Sequence, residues 1–424
     1  MSSPIGFQRI SIFVSQKFAK SSSLKVLRNR DFCIFVVGNL CALSGAWMQR
    51  MALAWLIWEL TKSAFWLGVF SAADLFPSVI FTLLGGVAAD RVSRYYLIIS
   101  CYAASGLVAV ILAVMQIFGT LEILSLLLLA VLQGTAQSFG HPARLAILRS
   151  LVPKNEAGDA IAVGAVMINL ARMTGPAIGG IIIAAVGIAW VFILNAVIMA
   201  VFVLVLTRLE KPAVSVSAEQ TSVLRQIGGG ISLVMSHVAT RITLIFIFLG
   251  GMFLRSIWDL VPAFADRSFE DSVFGVAVLS SVMAMGAVFG GFMSNADIPD
   301  QNLLSRILLA WIFGGVAVCG LAVSDTSLAA ICFMTLLGFF GVRGMVLTQT
   351  YMQTVIPDNM QGRALSIFAL LARCSPLFGA LLVGGLADLW GLLIPTLMNG
   401  VVITVLAGIV WLVMAHRQGT TGAP

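Results

Sequence analysis

Charged side chains stand inside long apolar stretches of this chain, and they are where chemistry is expected. Arg50 and Asp74 each lie 12 residues from Lys62, the apex of the first hairpin. At about 1.5 Å per helical residue they share one depth and should face each other. Two chemistries fit such a pair: a proton site, with Asp74 titrating and Arg50 lowering its proton affinity, or a permanent ion pair. Arg255 and Asp259 are four residues apart, so an α-helix would pair them on one face, near the outer mouth. Arg172, Arg343 and Arg373 lie in apolar segments with no evident acidic partner. The embedded arginines thus outnumber the embedded acids by five to two. A cavity with that imbalance attracts anions, unless some of these arginines snorkel or bond backbone carbonyls.

Polar residues at helical spacing supply a second set. Gln133, Gln137 and His141 recur every four residues and share a face. Trp47, Trp55, Trp58, Phe65 and Trp66 cluster about the first outer loop, as an interfacial belt or as a stacking wall. The six cysteines all lie in apolar segments without CxxC spacing, which reads as packing.

The elements that position these residues are membrane helices. The chain is 60% hydrophobic and 10% charged over 424 residues, against about 25% charged in an ordinary soluble domain. Twelve spans are expected near 32–58, 65–89, 96–118, 123–148, 160–186, 189–207, 241–262, 273–294, 303–323, 327–352, 363–387 and 392–414. The odd-numbered loops carry only Lys62 and Arg267 as basic residues, whereas Arg91, Arg94, Arg149, Lys154, Arg208, Lys211, Arg225 and Arg363 fall on the even-numbered side. The positive-inside rule therefore places both termini in the cytoplasm. The net charge of +7 owes much to Arg9, Lys17, Lys20, Lys25, Arg28 and Arg30, a basic arm suited to anionic lipid rather than nucleic acid.

The expected organisation is an arm at 1–31, a six-helix bundle at 32–207, a linker at 208–240 with a candidate interfacial helix, a second bundle at 241–414 and a tail at 415–424. The bundles repeat at an offset of 204 or 205 residues: Arg50 maps onto Arg255, Gly85-Gly86 onto Gly290-Gly291, Pro153 onto Pro357, Gly158 onto Gly362, Gly179-Gly180 onto Gly384-Gly385 and Asn195 onto Asn399. Parallel repeats of this kind mark transporters.

Two motifs carry a mechanism. Gly86, Asp90, Arg91 and Arg94 follow span two; a small residue allows close helix approach, and the charges can bridge helices in one conformation and release in another. In span five, Asn169-Leu170-Ala171-Arg172 leads into Gly175-Pro176-Ala177-Ile178-Gly179-Gly180, where the proline removes a helix hydrogen bond and the glycines permit a bend or close packing.

These stretches resemble the major facilitator superfamily. Gly86–Arg94 is similar to its loop 2–3 signature, with Ser93 where glycine is usual and Tyr95 where a basic residue is usual. Asn295 and Ala296 replace the Asp-Arg pair in the second half. The span-five stretch resembles the motif of the superfamily's exporters. Trp47-Met48-Gln49-Arg50, Ala54-Trp55-Leu56, Glu59-Leu60-Thr61, Pro142-Ala143-Arg144 and Leu151-Val152-Pro153 resemble the transmembrane secretion effector branch, which includes an enterobactin exporter. The resemblance implies an all-α fold of twelve transmembrane helices in two pseudo-symmetric six-helix bundles. It also implies that helices one, four, seven and ten line a cavity, which makes Gln49, Gln133, Gln137, Arg255 and Arg343 candidate substrate contacts.

The expected function is a proton-coupled exporter (an antiporter) of a small organic molecule, anionic in one reading, such as a siderophore or drug. It would work as a monomer in the bacterial inner membrane by alternating access. Asp74 and Arg50 would couple the proton. An importer of an anionic metabolite and a non-transporting receptor or scaffold are the alternatives. The sequence has no P-loop and no metal-ligand spacing, so neither enzyme chemistry nor a metal or other cofactor is expected.

Overall fold

A computed structural model describes residues 26–84, 94–208, 238–294, 302–356 and 358–421, without the side chains of 82–84, 94, 358–360, 362–363 and 417–421. The basic arm through Lys25, the motif residues Gly86, Asp90 and Arg91, nearly all of the 208–240 linker and the Asn295-Ala296 pair lie outside these residues. Arg94 begins the third helix.

Among the described residues, twelve helices are long and apolar enough to cross a membrane. Spans 1 to 6 are Arg30–Thr61, Ala64–Phe81, Tyr95–Ile117, Ile123–Ser150, Lys154–Val186 and Ile188–Arg208. Spans 7 to 12 are Val238–Ser268, Ser272–Ser294, Leu303–Ala322, Ser327–Thr354, Ala364–Trp390 and Leu393–His416. This is the all-α, twelve-span architecture expected from the apolar runs.

Local chemistry sets the ends of span 1. The Asn29 side chain accepts the N–H groups of Asp31 (3.0 Å) and Phe32 (3.2 Å), satisfying donors that a helix start leaves open. The helix stops at Lys62, whose backbone turns left-handed (φ 47°) while its N–H reaches the Trp58 carbonyl at 2.7 Å.

Span 7 is not one straight helix. An α-helix over Val238–Phe253 gives way to a 3-10 segment at Arg255–Leu260, then to a short α-helix at Val261–Ser268 that carries Pro262 in its first turn. The helix therefore continues past Pro262, and Arg267 sits in its last turn, bonding the Ala322 carbonyl at 2.8 Å and pairing with Asp325 at 2.5 Å.

The two halves meet where span 2 crosses span 11 and span 5 crosses span 8. Small residues permit both crossings: a Cβ on Gly68 would lie 2.5 Å from the Ala380 carbonyl, and Gly180 abuts the Ala277 methyl. Polar contacts tie the halves on the face that carries the odd-numbered loops. Trp55 Nε1 donates to Ser272 Oγ at 3.2 Å, Lys62 Nζ lies 3.4 Å from Asp266, and the Asp388 carboxylate accepts from the Ser63 hydroxyl and from the Ala64 N–H at 2.8 Å. The Glu59 hydrogen bond, ahead of the nearby charges, raises the Lys62 pKa above its usual 10.5.

Candidate functional site

Arg50 is the hub of the site. It faces Asp74, as their common depth requires, and the two form an ion pair between spans 1 and 2. Its other terminal nitrogen donates to Ser71 Oγ of span 2 at 3.4 Å and crosses to the second half to donate to Asp259 at 3.2 Å. The guanidinium also lies 5.7 Å from the centre of the Phe70 ring. Even a partly buried arginine is costly to desolvate, and two carboxylates offset that cost.

The expected Arg255–Asp259 pair does not form. That expectation assumed an α-helix, where residues i and i+4 share a face. These residues lie in the 3-10 segment, where four residues sweep about 480° and turn i+4 some 120° away from i. Asp259 is thereby aimed at Arg50, and Arg255 instead stacks on Trp258 three residues on, with its guanidinium 4.2 Å from the ring centre. Asp259 is thus a wall residue with an 8% exposed side chain, not an outer-edge charge.

Arg172 completes the cluster. Its guanidinium lies between two indoles, 5.0 Å from Trp47 and 5.6 Å from Trp258. Its position follows from the glycines of the span-five motif. A Cβ on Gly175 would sit 2.7 Å from the Ser44 carbonyl oxygen, and one on Gly179 2.7 Å from the Met48 side chain, so span 5 lies tight against span 1. Thr174 and Ser44 hydroxyls bond at 3.3 Å across the same contact.

Arg50, Arg172, Arg255, Asp259, Trp47, Trp258 and Pro176 line one cavity of about 60 Å³ between the halves. That is room for a few waters and far below the roughly 300 Å³ of small-molecule sites. Three arginines against Asp74 and Asp259 leave one positive charge in excess. Three of the buried polar atoms have no hydrogen-bond partner: Arg172 Nε, Arg255 Nη1 and Asp259 Oδ2. Buried polar groups are rarely left so, and two orphan cationic donors on residues that line one space suit an anion.

The other candidate contacts are placed elsewhere. Gln49 is 1% exposed and turned away, accepting from Asn195 Nδ2 at 2.8 Å. Gln133 is buried on span 4 with its Oε1 unpartnered, and Gln137 and Arg343 are half-buried; none of the three lines this cavity. Trp258 is the residue that sequence reasoning missed. Its signal was its position three residues after an embedded arginine. Among the described residues no group of three His, Cys, Asp or Glu side chains could hold a metal.

Two six-helix halves enclosing a charged cavity define a transporter of the major facilitator superfamily. A nucleoside transporter structure superimposes with TM-score 0.78 at 11% identity, covering 91% of this chain and 100% of that one. Residues 21–421 match the family model described as transmembrane secretion effector, and the chain belongs to that family. It is 26% identical to a staphyloferrin A transporter of Staphylococcus aureus over 82% of this chain and 87% of that protein. It is also 26% identical to an enterobactin exporter of Salmonella typhimurium, over 72% and 73%.

Proposed function

We propose that this protein exports a small anionic organic molecule of the siderophore class by proton antiport and is not an enzyme. It acts as a monomer in the bacterial inner membrane with both termini in the cytoplasm. The carrying observation is the cavity at the interface of the halves, where Arg172 Nε and Arg255 Nη1 lack partners beside two indole faces. An anionic group would satisfy both donors, and an aromatic or planar portion would stack on Trp47 or Trp258. The names of the two bacterial relatives support the siderophore class.

Asp74 carries the proton in this reading, and Arg50 sets its proton affinity. The charge shown on Asp74 is that of Arg50 on span 1; from span 4, Gly134 packs directly on the Asp74 backbone. In inside-out vesicles, Asp74→Asn should abolish uptake of enterobactin or staphyloferrin A driven by a pH gradient while counterflow exchange persists. Undiminished gradient-driven uptake in that variant rules out Asp74 as the coupling site.

The Arg50–Asp74 pair also admits the importer reading. Were an anion to take Arg50 from Asp74 instead, that carboxylate would hold a proton more tightly, and anion and proton would bind together rather than in exchange. The gradient polarity that drives accumulation in oriented vesicles decides between the two.

A further inference from the structure

The Arg50–Asp259 bond joins the two halves, and it also forms part of the cavity wall. The other polar ties on that face, Trp55–Ser272, Lys62–Asp266 and Ser63–Asp388, involve no residue of the cavity lining. Asp259 is therefore the polar tie that a molecule in the cavity can touch.

The two carboxylates on Arg50 are not equivalent. Asp74 and Arg50 belong to the same half, so their pair can persist while the halves move. Asp259 comes from the other half and holds Arg50 through one oxygen, its Oδ2 having no partner. A cavity of about 60 Å³ cannot admit an organic anion unless its wall gives way. Of the three arginines that line the cavity, Arg172 and Arg255 each keep a nitrogen without a partner, and Arg50 has its Nη2 on Asp259.

We infer that Asp259 is a stand-in anion: it occupies Arg50 when the cavity is empty, and the transported anion displaces it, untying the halves on the odd-loop face. This rests on the anionic-substrate reading above. It adds that binding and gate opening are one event, because one guanidinium serves both. A ligand shifts a conformational equilibrium only through contacts that differ between the states, and exchange at Arg50 is such a contact.

The test uses full-length protein in lipid nanodiscs with the native cysteines replaced. Spin labels go at Leu60 and Leu389, 50% and 76% exposed at the odd-loop ends of spans 1 and 11. Pulsed electron resonance reads the distance between them, and 2,3-dihydroxybenzoate and citrate are the anion probes, with binding measured calorimetrically. Asp259→Asn should shift the distance to longer values without any ligand, and Asp259→Glu should not. A probe that binds should lengthen the wild-type distance and leave that of Asp259→Asn unchanged. The neutral variant should also bind that probe more tightly, by roughly 5- to 150-fold, the usual size of coupling between sites.

An unchanged distance in Asp259→Asn overturns the inference. So does a probe that binds the wild type without moving the labels, or one that binds the neutral variant no more tightly. If neither probe binds, the anion reading fails on its own, and displacement by substrate fails with it. The ligand-free distances then still decide whether Asp259 closes this face. A purely structural role for Asp259 would lower the melting temperature of both variants without a ligand-dependent change in distance.

Discussion

Replacing Arg172 by Met separates recognition from scaffold. The guanidinium lies between the indoles of Trp47 and Trp258, and its Nε is unpartnered in the empty protein. A methionine fills similar volume and keeps contact with both rings, so the bundle should survive. What is lost is one charge-assisted hydrogen bond to the bound anion, worth about 1.5–3 kcal/mol. That corresponds to roughly 10- to 150-fold weaker binding. Arg172→Lys keeps the charge without the planar fork and should fall between the two. Calorimetric titration of purified protein with staphyloferrin A or enterobactin reads the affinity, with thermal melting in detergent as the control for folding. A methionine variant that melts like the wild type and binds its siderophore as tightly would refute the claim that this arginine recognises the substrate.

Two smaller perturbations test the frame around the site. Gly175→Val should destabilise the protein by roughly 1–3 kcal/mol, seen as a lower melting temperature, because its Cβ meets the Ser44 carbonyl at 2.7 Å and Trp47 at 2.8 Å. Gly158→Ala, with nothing within 4 Å of the added carbon, should melt like the wild type. Lys62→Gln should leave the transport rate within about twofold, because a half-exposed ion pair contributes little. The raised pKa of Lys62 keeps its charge, and the contacts that need it, in place below its usual 10.5, with loss only as pH rises past the higher folded value.

Arg50 and Asp74 were legible because helix register alone sets their depth: equal distances from one hairpin apex place two residues level whatever else the chain does. Arg255 and Asp259 were misread for a complementary reason. The i,i+4 rule holds only on an α-helix, and local spacing does not announce a 3-10 segment between Phe253 and Val261. Gln49 shows a third limit. Its place on a cavity-lining span was readable, but the rotation that turns it onto Asn195 depends on span 6, 146 positions away. Trp258 carried one local signal, its place three residues after Arg255, but its contact with Arg172 comes from span 5 and could not be read from that spacing.

The repeat explains why the cavity has charge to spare. Arg50 and Arg255 occupy equivalent places in the two halves, but their acids do not. At the offset of 204 or 205, the positions matching Asp74 are Val278 and Leu279, and those matching Asp259 are Ala54 and Trp55. Each half thus supplies one carboxylate from a non-equivalent place, and both converge on Arg50. Arg255, the symmetric partner, is left with an indole and an open nitrogen. Had the halves kept their acids in matching places, each arginine would be held within its own bundle, with no polar bond between the halves at the site. The decay of symmetry in the acids, with the arginines retained, therefore leaves Arg255 Nη1 without a hydrogen-bond partner and places a polar bond between the halves at Arg50.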